Sequence, residues 1–328
     1  MSKVNRNEPK RSKASESQYS LMEFAREFPD DAACLEHLWR SRFSADGSHA
    51  YCPKCKRERK FHRVASRPSW SCDSCGHHIH PTAGTIFHRS ATSLQLWFYV
   101  MYVMTSTRCG VSAKAIEREI GVGYKTAWRM CNLIRTHLMQ QDDSRKLKGS
   151  VEADETAYGG RPKASMTRGM SQSEVQKFAK ARKTGIVAMV ERGGRVRAYV
   201  TPREGALETV SLHVDPKATV YTDEWAGYRN LHTTHPTHYT IKHTDRVYAS
   251  GDVHTQTIEG FFGNIKNGIA GNYHGVSVKW LQSYINEYVW RYNHRDNGRT
   301  MFAELVRRSA HVPLRQLSSD RNLEPSDS

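Results

Sequence analysis

The sequence predicts an α/β protein, a mixed sheet flanked by helices, preceded by a small cysteine-bound ribbon and a helical region. Three observations carry that expectation. The apolar period changes from helical to alternating near residue 149, so the C-terminal half opens with strands. Two Cys-x-x-Cys pairs, Cys52/Cys55 and Cys72/Cys75, stand sixteen residues apart. In residues 253–266, Ile258, Phe261, Phe262 and Ile265 recur at three- and four-residue steps, which marks a helix with one face in a core. Glu259 and Lys266 lie seven apart on that helix, two turns, and project from the same side. Taken alone, that pair fits either a site on a rigid face or an ordinary charged face of a packed helix.

At 328 residues the chain has room for two or three domains and a sizeable core. Lys+Arg 49 against Asp+Glu 33 gives a formal net charge of +16 and a pI near 9.6, an excess spread along the whole sequence. Such a balance favours a polyanionic partner, nucleic acid being the commonest, although charge alone also fits a merely basic soluble protein. No N-terminal run has the apolar core of a signal peptide, and the most apolar stretch, residues 94–104, is too short to span a bilayer. No membrane partner and a cytoplasmic location are therefore expected. Seven cysteines, four of them in pairs, read as a reducing compartment with a metal site and not as a disulfide framework.

Residues 1–19 form a polar, basic arm expected to be disordered, a solvated tail or one that brushes phosphates. Residues 20–90 comprise a helical lead-in and the ribbon. Two short helices break at Pro29, with Asp30 or Asp31 capping the second. Each Cys-x-x-Cys puts two thiolates on one tight knuckle, and two knuckles close a tetrahedron around a structural Zn²⁺. Residues 61–64 and 69–71 read as two strands of a hairpin between them. Four thiolates fill the shell, so His77, His78 and His80 are left as a polar strand edge, and the zinc folds the module without doing chemistry. Residues 91–140 are helical in period. Residues 112–120, the Gly121-Val122-Gly123 turn and residues 124–129 have the layout of a helix-turn-helix, with a plain helical hairpin as the alternative. In a helix-turn-helix, Tyr124, Lys125 and Arg129 would face the bases of the major groove while Ala127, Trp128, Cys131 and Ile134 pack behind. A charged linker follows to residue 148.

Residues 148–305 carry the sheet, and residues 306–328 a tail. Residues 149–160 read as a strand in which Glu152 and Asp154 share one face. Residues 162–183 are basic and read as a mobile loop. A hairpin turns at Gly193-Gly194, a short helix covers residues 207–214, and residues 218–223 form a strand ending in an acid. A last short strand, residues 239–241, precedes the Glu259 helix. That order matches the ribonuclease-H-like architecture. Its active site gathers an acid from the first strand, one from the end of the fourth and one from a later helix, here Asp154, Asp223 and Glu259. Crowded carboxylates repel, and bound divalent cations make such a cluster stable. Hard oxygen ligands select Mg²⁺ or Mn²⁺, and two ions about 4 Å apart suit phosphodiester chemistry.

The segments Val151-Glu152-Ala153-Asp154-Glu155-Thr156, Tyr221-Thr222-Asp223-Glu224-Trp225-Ala226-Gly227-Tyr228 and His254-Thr255-Gln256-Thr257-Ile258-Glu259-Gly260-Phe261-Phe262 with Lys266 resemble the DDE transposases of bacterial insertion sequences. Residues 271–277 and 287–295 extend the resemblance to the subgroup with an N-terminal zinc ribbon, over roughly residues 20–305. It implies an enzyme that binds the terminal inverted repeats of a mobile element, cuts the DNA ends and joins them to a target. Asp154, Asp223 and Glu259 would hold the metals, and Lys266 would contact a phosphate near the scissile bond. Gln256 stands where the subgroup usually has asparagine. Glu152 is a weaker candidate, since it, Glu155 and Glu224 each lie beside a matching acid and have a structural reading. Arg291 and Arg295 are weaker too, both also readable as salt bridges of the closing helix. The resemblance further implies double-stranded DNA as partner, a homodimer or higher assembly to process two ends, and a place at the nucleoid. Two other readings remain: a non-catalytic DNA-binding regulator or domesticated transposase, and a structure-specific nuclease of the same fold. The presence of all three acids argues against the first, and the separate sequence-reading module against the second.

Overall fold

A computed structural model describes residues 19–313 apart from 108, 142–143, 160–161, 163, 242–254 and 297. The expected arm up to residue 18, the tail from residue 314 and His254 lie outside the described residues. The chain forms two compact units, residues 1–139 with 294–328, and residues 140–293.

In the first unit, helix α1 (Leu21–Glu27) starts in a capping box between Ser20 and Glu23, and α2 (Asp31–Arg42) is capped by Asp30 accepting from the Ala33 N–H. The ribbon is a four-stranded antiparallel sheet, β1 (His49–Cys52), β2 (Arg57–Val64), β3 (Ser69–Cys72) and β4 (His78–Ile79), in sequence order. Sequence period finds only the middle pair, because β1 and β4 are too short to show alternation. Trp39 of α2 stacks on Trp70 of β3 with ring centroids 4.7 Å apart, so the lead-in helices and ribbon share one core. Helix α3 (Leu94–Ser106) buries Trp97, Phe98, Val100, Met101 and Met104. Helix α4 (Ala113–Ile120) ends on Gly121 at φ +69°, a left-handed cap that favours glycine, and α5 (Tyr124–Leu133) follows three residues later.

The other helix of this unit is a departure from expectation. Sequence period predicts the sheet domain to run to residue 305, but α10 (Gly298–His311) crosses that boundary and packs on α3. Its Phe302 ring meets Phe24, Phe28 and Tyr102, an aromatic cluster that supplies the apolar surface α10 must bury.

The second unit is built on β5 (Ser150–Tyr158), with β6 (Thr184–Glu191), β7 (Val196–Thr201), β8 (Thr219–Asp223) and β9 (His238–Ile241) in the order β7-β6-β5-β8-β9. The first three strands are antiparallel neighbours, and β5, β8 and β9 run parallel. Alternation sends Val151, Ala153, Val187 and Met189 to a core under α7 (Ala206–His213), and Ile186, Ala188 and Val190 to a second core under α8 (Gln256–Gly268) and α9 (Val278–Asn293). The helices thus lie on both faces. A Cβ on Gly268 would stand 1.7 Å from the Tyr288 hydroxyl, so α8 and α9 meet this closely only because that residue is glycine. The 162–183 stretch holds helix α6 (Gln172–Ala181) with a Ser171/Glu174 capping box, where a loop was expected. Its basic composition hides a helix whose residues are mostly exposed.

The outer edge of β7 is closed by side-chain amides. Asn293 accepts from the Val196 N–H at 2.8 Å and donates to the Val196 carbonyl at 3.0 Å. Gln141 treats Ala198 likewise, at 3.0 and 2.6 Å, and Gln282 accepts from the Val200 N–H at 2.7 Å. An edge so occupied no longer offers a free ladder to another strand. Gln141 falls in the stretch expected to be a charged linker, which is therefore partly woven into the sheet.

Candidate functional site

Parallel pairing of β5 with β8 matches Ser150 to Thr219, Val151 to Val220 and Glu152 to Tyr221, and then stops. Continuing the same offset puts Asp154 level with Asp223, at the end where the strands no longer pair. Asp154, Glu155 and Asp223 each bring a carboxylate oxygen within 4.8 Å of the others. Neighbouring residues of a strand point to opposite faces. Glu155 joins Asp154 in this group even though β5 stays paired with β6 through both residues.

Burial, and next the charge of Asp223, push the Asp154 carboxyl up to about 7, with Glu155 and Glu259 adding to the rise. The Glu155 N–H, donating to Asp154 Oδ1 at 2.7 Å, opposes it. Asp223 Oδ1 accepts from the Trp225 N–H at 3.0 Å, which fixes its orientation. The buried Tyr228 hydroxyl faces the same group, and burial followed by the charges of Glu155, Asp154 and Asp223 raises its pKa well above the usual value. Sequence reasoning gave Tyr228 no role, because a tyrosine in an aromatic motif reads as packing.

Helix α8 supplies the third expected acid. Ile258, Phe261, Phe262 and Ile265 are buried, while Glu259, Gln256 and Lys266 are exposed. Glu259 acts on Asp154 through its charge but is not part of the tight group; its Oε1 accepts from Thr255 Oγ1 at 3.1 Å. The Lys266 ammonium lies 6.0 Å from the centre of the Phe262 ring. Glu152 is fully buried, accepting from Arg192, from the Thr257 hydroxyl and from two N–H groups of α8. Arg291 pairs with the buried Glu287 at 2.6 Å, and the Tyr273 hydroxyl donates to the other Glu287 oxygen. Arg295 Nε stands 3.8 Å from Asp296. Of the three expected acids, Asp154 and Asp223 thus stand in one tight group with Glu155, and Glu259 lies outside it.

The other two candidate sites lie in the first unit. Cys52 and Cys75 sulfurs are 3.6 Å apart, those of Cys55 and Cys72 are 3.9 Å apart, and all four lie within 4.8 Å of one another. A tetrahedral four-sulfur zinc site with Zn–S near 2.3 Å requires sulfurs roughly 3.8 Å apart, so the donors fit zinc. The seven cysteines form no disulfide among the described residues. On α5, Tyr124 is 42% exposed and Lys125 and Arg129 are exposed, while Ala127 and Cys131 are buried and Trp128 is half-buried.

Level acids on adjacent parallel strands of a mixed sheet, on a strongly basic chain that also carries four clustered cysteines, are in keeping with a transposase. Residues 146–293 match the family described as the ISXO2-like transposase domain. Over 258 residues the chain is 30% identical to an uncharacterized protein in transposable element ISH50 of Halobacterium salinarum, covering 74% of this chain and 84% of that one. The chain belongs to the ISXO2-like transposases, DDE transposases of insertion sequences.

The Asp154 shift has a thermodynamic consequence. Its proton leaves near 3.8 in the unfolded chain and near 7 in the fold, so between those values the native state binds more protons than the unfolded one. The contribution of Asp154 to the stability of the metal-free protein is therefore fully present below this window, falls by up to about 1.4 kcal/mol per pH unit across it, and is lost above about 7. Thermal melts of wild type and Asp154→Asn against pH check this. Equal slopes for the two would show that Asp154 does not titrate in that range.

Proposed function

We propose that the protein is the transposase of its own element: it binds the terminal inverted repeats, cuts the DNA ends and transfers them to a target. The observation that carries this is the level placement of Asp154, within β5, and Asp223, at the end of β8, just past the point where the two strands stop pairing, with Asp154 pushed up by burial and next by the charge of Asp223. The strand order, with three antiparallel strands followed by two parallel ones, supports a ribonuclease-H-like sheet. Asp154, Asp223 and Glu259 are the ligands of Mg²⁺ or Mn²⁺, and Glu155 stands close enough to join them. Divalent ions held there would supply activation of the attacking hydroxyl and stabilisation of the leaving oxygen of a phosphodiester. Lys266, exposed on the face that carries Glu259, offers an ammonium to a phosphate near the scissile bond. Zn²⁺ at Cys52, Cys55, Cys72 and Cys75 holds the ribbon together. Double-stranded DNA is the partner, with two chains or more acting on two ends in the cytoplasm, at the nucleoid. No helix among the described residues is long and apolar enough to cross a membrane.

The test is an assay of cleavage and strand transfer on the DNA ends of the element, with Mg²⁺. Binding without cleavage would make the protein a regulator, and cleavage without joining or end preference would make it a structure-specific nuclease.

Helices α4 and α5, with their three-residue turn, support a helix-turn-helix, and α5 exposes Tyr124, Lys125 and Arg129. Lys125→Ala or Arg129→Ala is expected to weaken end binding by about 1–3 kcal/mol if the side chain touches a base edge. Contact with phosphate alone would instead lower binding equally on specific and random DNA. Competition binding against both DNAs distinguishes the two, and no change on either returns α5 to a plain hairpin.

A further inference from the structure

The start of α8 is capped in an unusual way. Its N-cap residue, Thr255, is 3% exposed and makes no side-chain cap to its own helix. That task, accepting from the second and third N–H groups of the helix, is performed by Glu152 from strand β5. Glu152 Oε2 accepts from the Thr257 N–H at 2.9 Å and from the Ile258 N–H at 3.1 Å, and Oε1 from the Thr257 hydroxyl at 3.0 Å. Arg192 Nε donates to the same Oε1 at 2.8 Å, and its guanidinium lies 4.2 Å from the centre of the Tyr221 ring. A carboxylate at a helix N-terminus also meets the positive end of the helix dipole. With its capping role filled from the sheet, the Thr255 hydroxyl donates to Glu259 Oε1 at 3.1 Å instead.

We propose that Glu152 and Thr255 are paired positioning residues for the third acid: Glu152 fixes the height and phase of α8 on the sheet, and Thr255 aims the Glu259 carboxylate. Glu152 sits two residues before Asp154 on the same strand face, so one strand carries both a first acid and the latch for the helix that carries the third. Rigid attachment matters there because Glu259 is exposed, and packing alone does not hold its side chain. Glu152 itself is fully engaged by four donors, which sets it apart from the acids that face the cluster. The Glu259 half of this proposal rests on the metal reading above; the Glu152 half stands on the helix itself.

Two measurements on the full-length protein, with its ribbon zinc retained, test it. In Mn²⁺ titration by calorimetry, Thr255→Val, which keeps shape and removes the hydroxyl, is expected to weaken Mn²⁺ binding by about tenfold, the scale typical of a group that orients a metal ligand. Thr255→Ser should restore it, and the melting temperature and DNA binding should be unchanged. In amide hydrogen exchange without Mn²⁺, Glu152→Gln should speed exchange at Thr257 and Ile258 by about tenfold or more while the rest of α8 stays protected. Mn²⁺ binding by Thr255→Val equal to wild type overturns the role of Thr255, and unchanged protection at Thr257 and Ile258 overturns that of Glu152. Wild type that binds no Mn²⁺ sinks the metal reading together with the Thr255 arm, while the exchange arm still decides the latch.

Discussion

Replacing Asp154 or Asp223 by asparagine is expected to reduce DNA-end cleavage and strand transfer to background while end binding is retained. Both acids sit where β5 and β8 stop pairing, at the same level and within 4.8 Å of each other. An amide in place of either removes a charged oxygen donor from the group that divalent ions would occupy. If metal coordination contributes several kcal/mol to the transition state, the loss is about 10³-fold or more, at 1.36 kcal/mol per decade. DNA binding is assigned to the first unit and the basic surface, so it has no reason to fall. Two comparisons sharpen the test. Glu259→Gln is expected to abolish the reaction, whereas Gln256→Ala lowers its rate, because the Gln256 amide brings no charge to hold a cation. Glu155→Gln asks whether the third carboxylate of the tight group is a ligand: loss equal to that of Glu259→Gln makes it one. Activity assays in Mg²⁺ at matched DNA occupancy read all of these. A Gln256 variant weaker than the Glu259 variant would mean that the third ligand has been misassigned.

The positions of Asp154 and Asp223 were legible in the sequence because each lies in a strand whose apolar alternation is plain, near a glycine or an acid that ends it. Glu259 was legible because Ile258, Phe261, Phe262 and Ile265 fix the phase of its helix. What escaped depended on contacts between distant segments. Glu155 reads as pointing away from Asp154 under strict alternation, yet its carboxylate stands within 4.8 Å of those of Asp154 and Asp223. Glu152 reads as one more acid beside a motif, since its four donors come from the β6–β7 turn and from α8. Nothing local shows that Thr255 has given up its cap, and the spacing Thr255 to Glu259 is one residue too long for a capping box. Tyr228 is half of an aromatic pair with Trp225 as well as a neighbour of the acids, and only its surroundings separate those roles. Helix α10 was assigned to the sheet by chain order, and its partner Phe24 lies nearly three hundred residues earlier. Helix α6 is hidden for the opposite reason: its Ser171/Glu174 box is local, but the basic composition around it reads as loop.

Removing the zinc proposed for the ribbon, or replacing Cys72 by serine, is expected to unfold residues 49–79 while the sheet of the second unit stays intact. The ribbon strands are short, four residues in β1 and β3 and two in β4, and so few paired residues cannot offset the conformational entropy of ordering the knuckles. Four sulfurs already stand at the spacing a tetrahedral zinc requires, and zinc binding in such modules contributes on the order of 10 kcal/mol of folding free energy. Part of the ribbon's support comes from outside it, through Trp39 stacked on Trp70, so loss of zinc should also loosen α2. Metal analysis after dialysis against a weak chelator should find about one zinc per chain, and a strong chelator should abolish amide protection in β2 and β3. Protection in β5 and β6 should be unaffected, because no thiol lies among the residues of the second unit. End binding should fall with the ribbon if the ribbon helps to hold DNA, and should survive if α5 suffices alone. A ribbon that keeps its protection with no zinc bound would show that the Trp39–Trp70 core, and not the metal, folds this module.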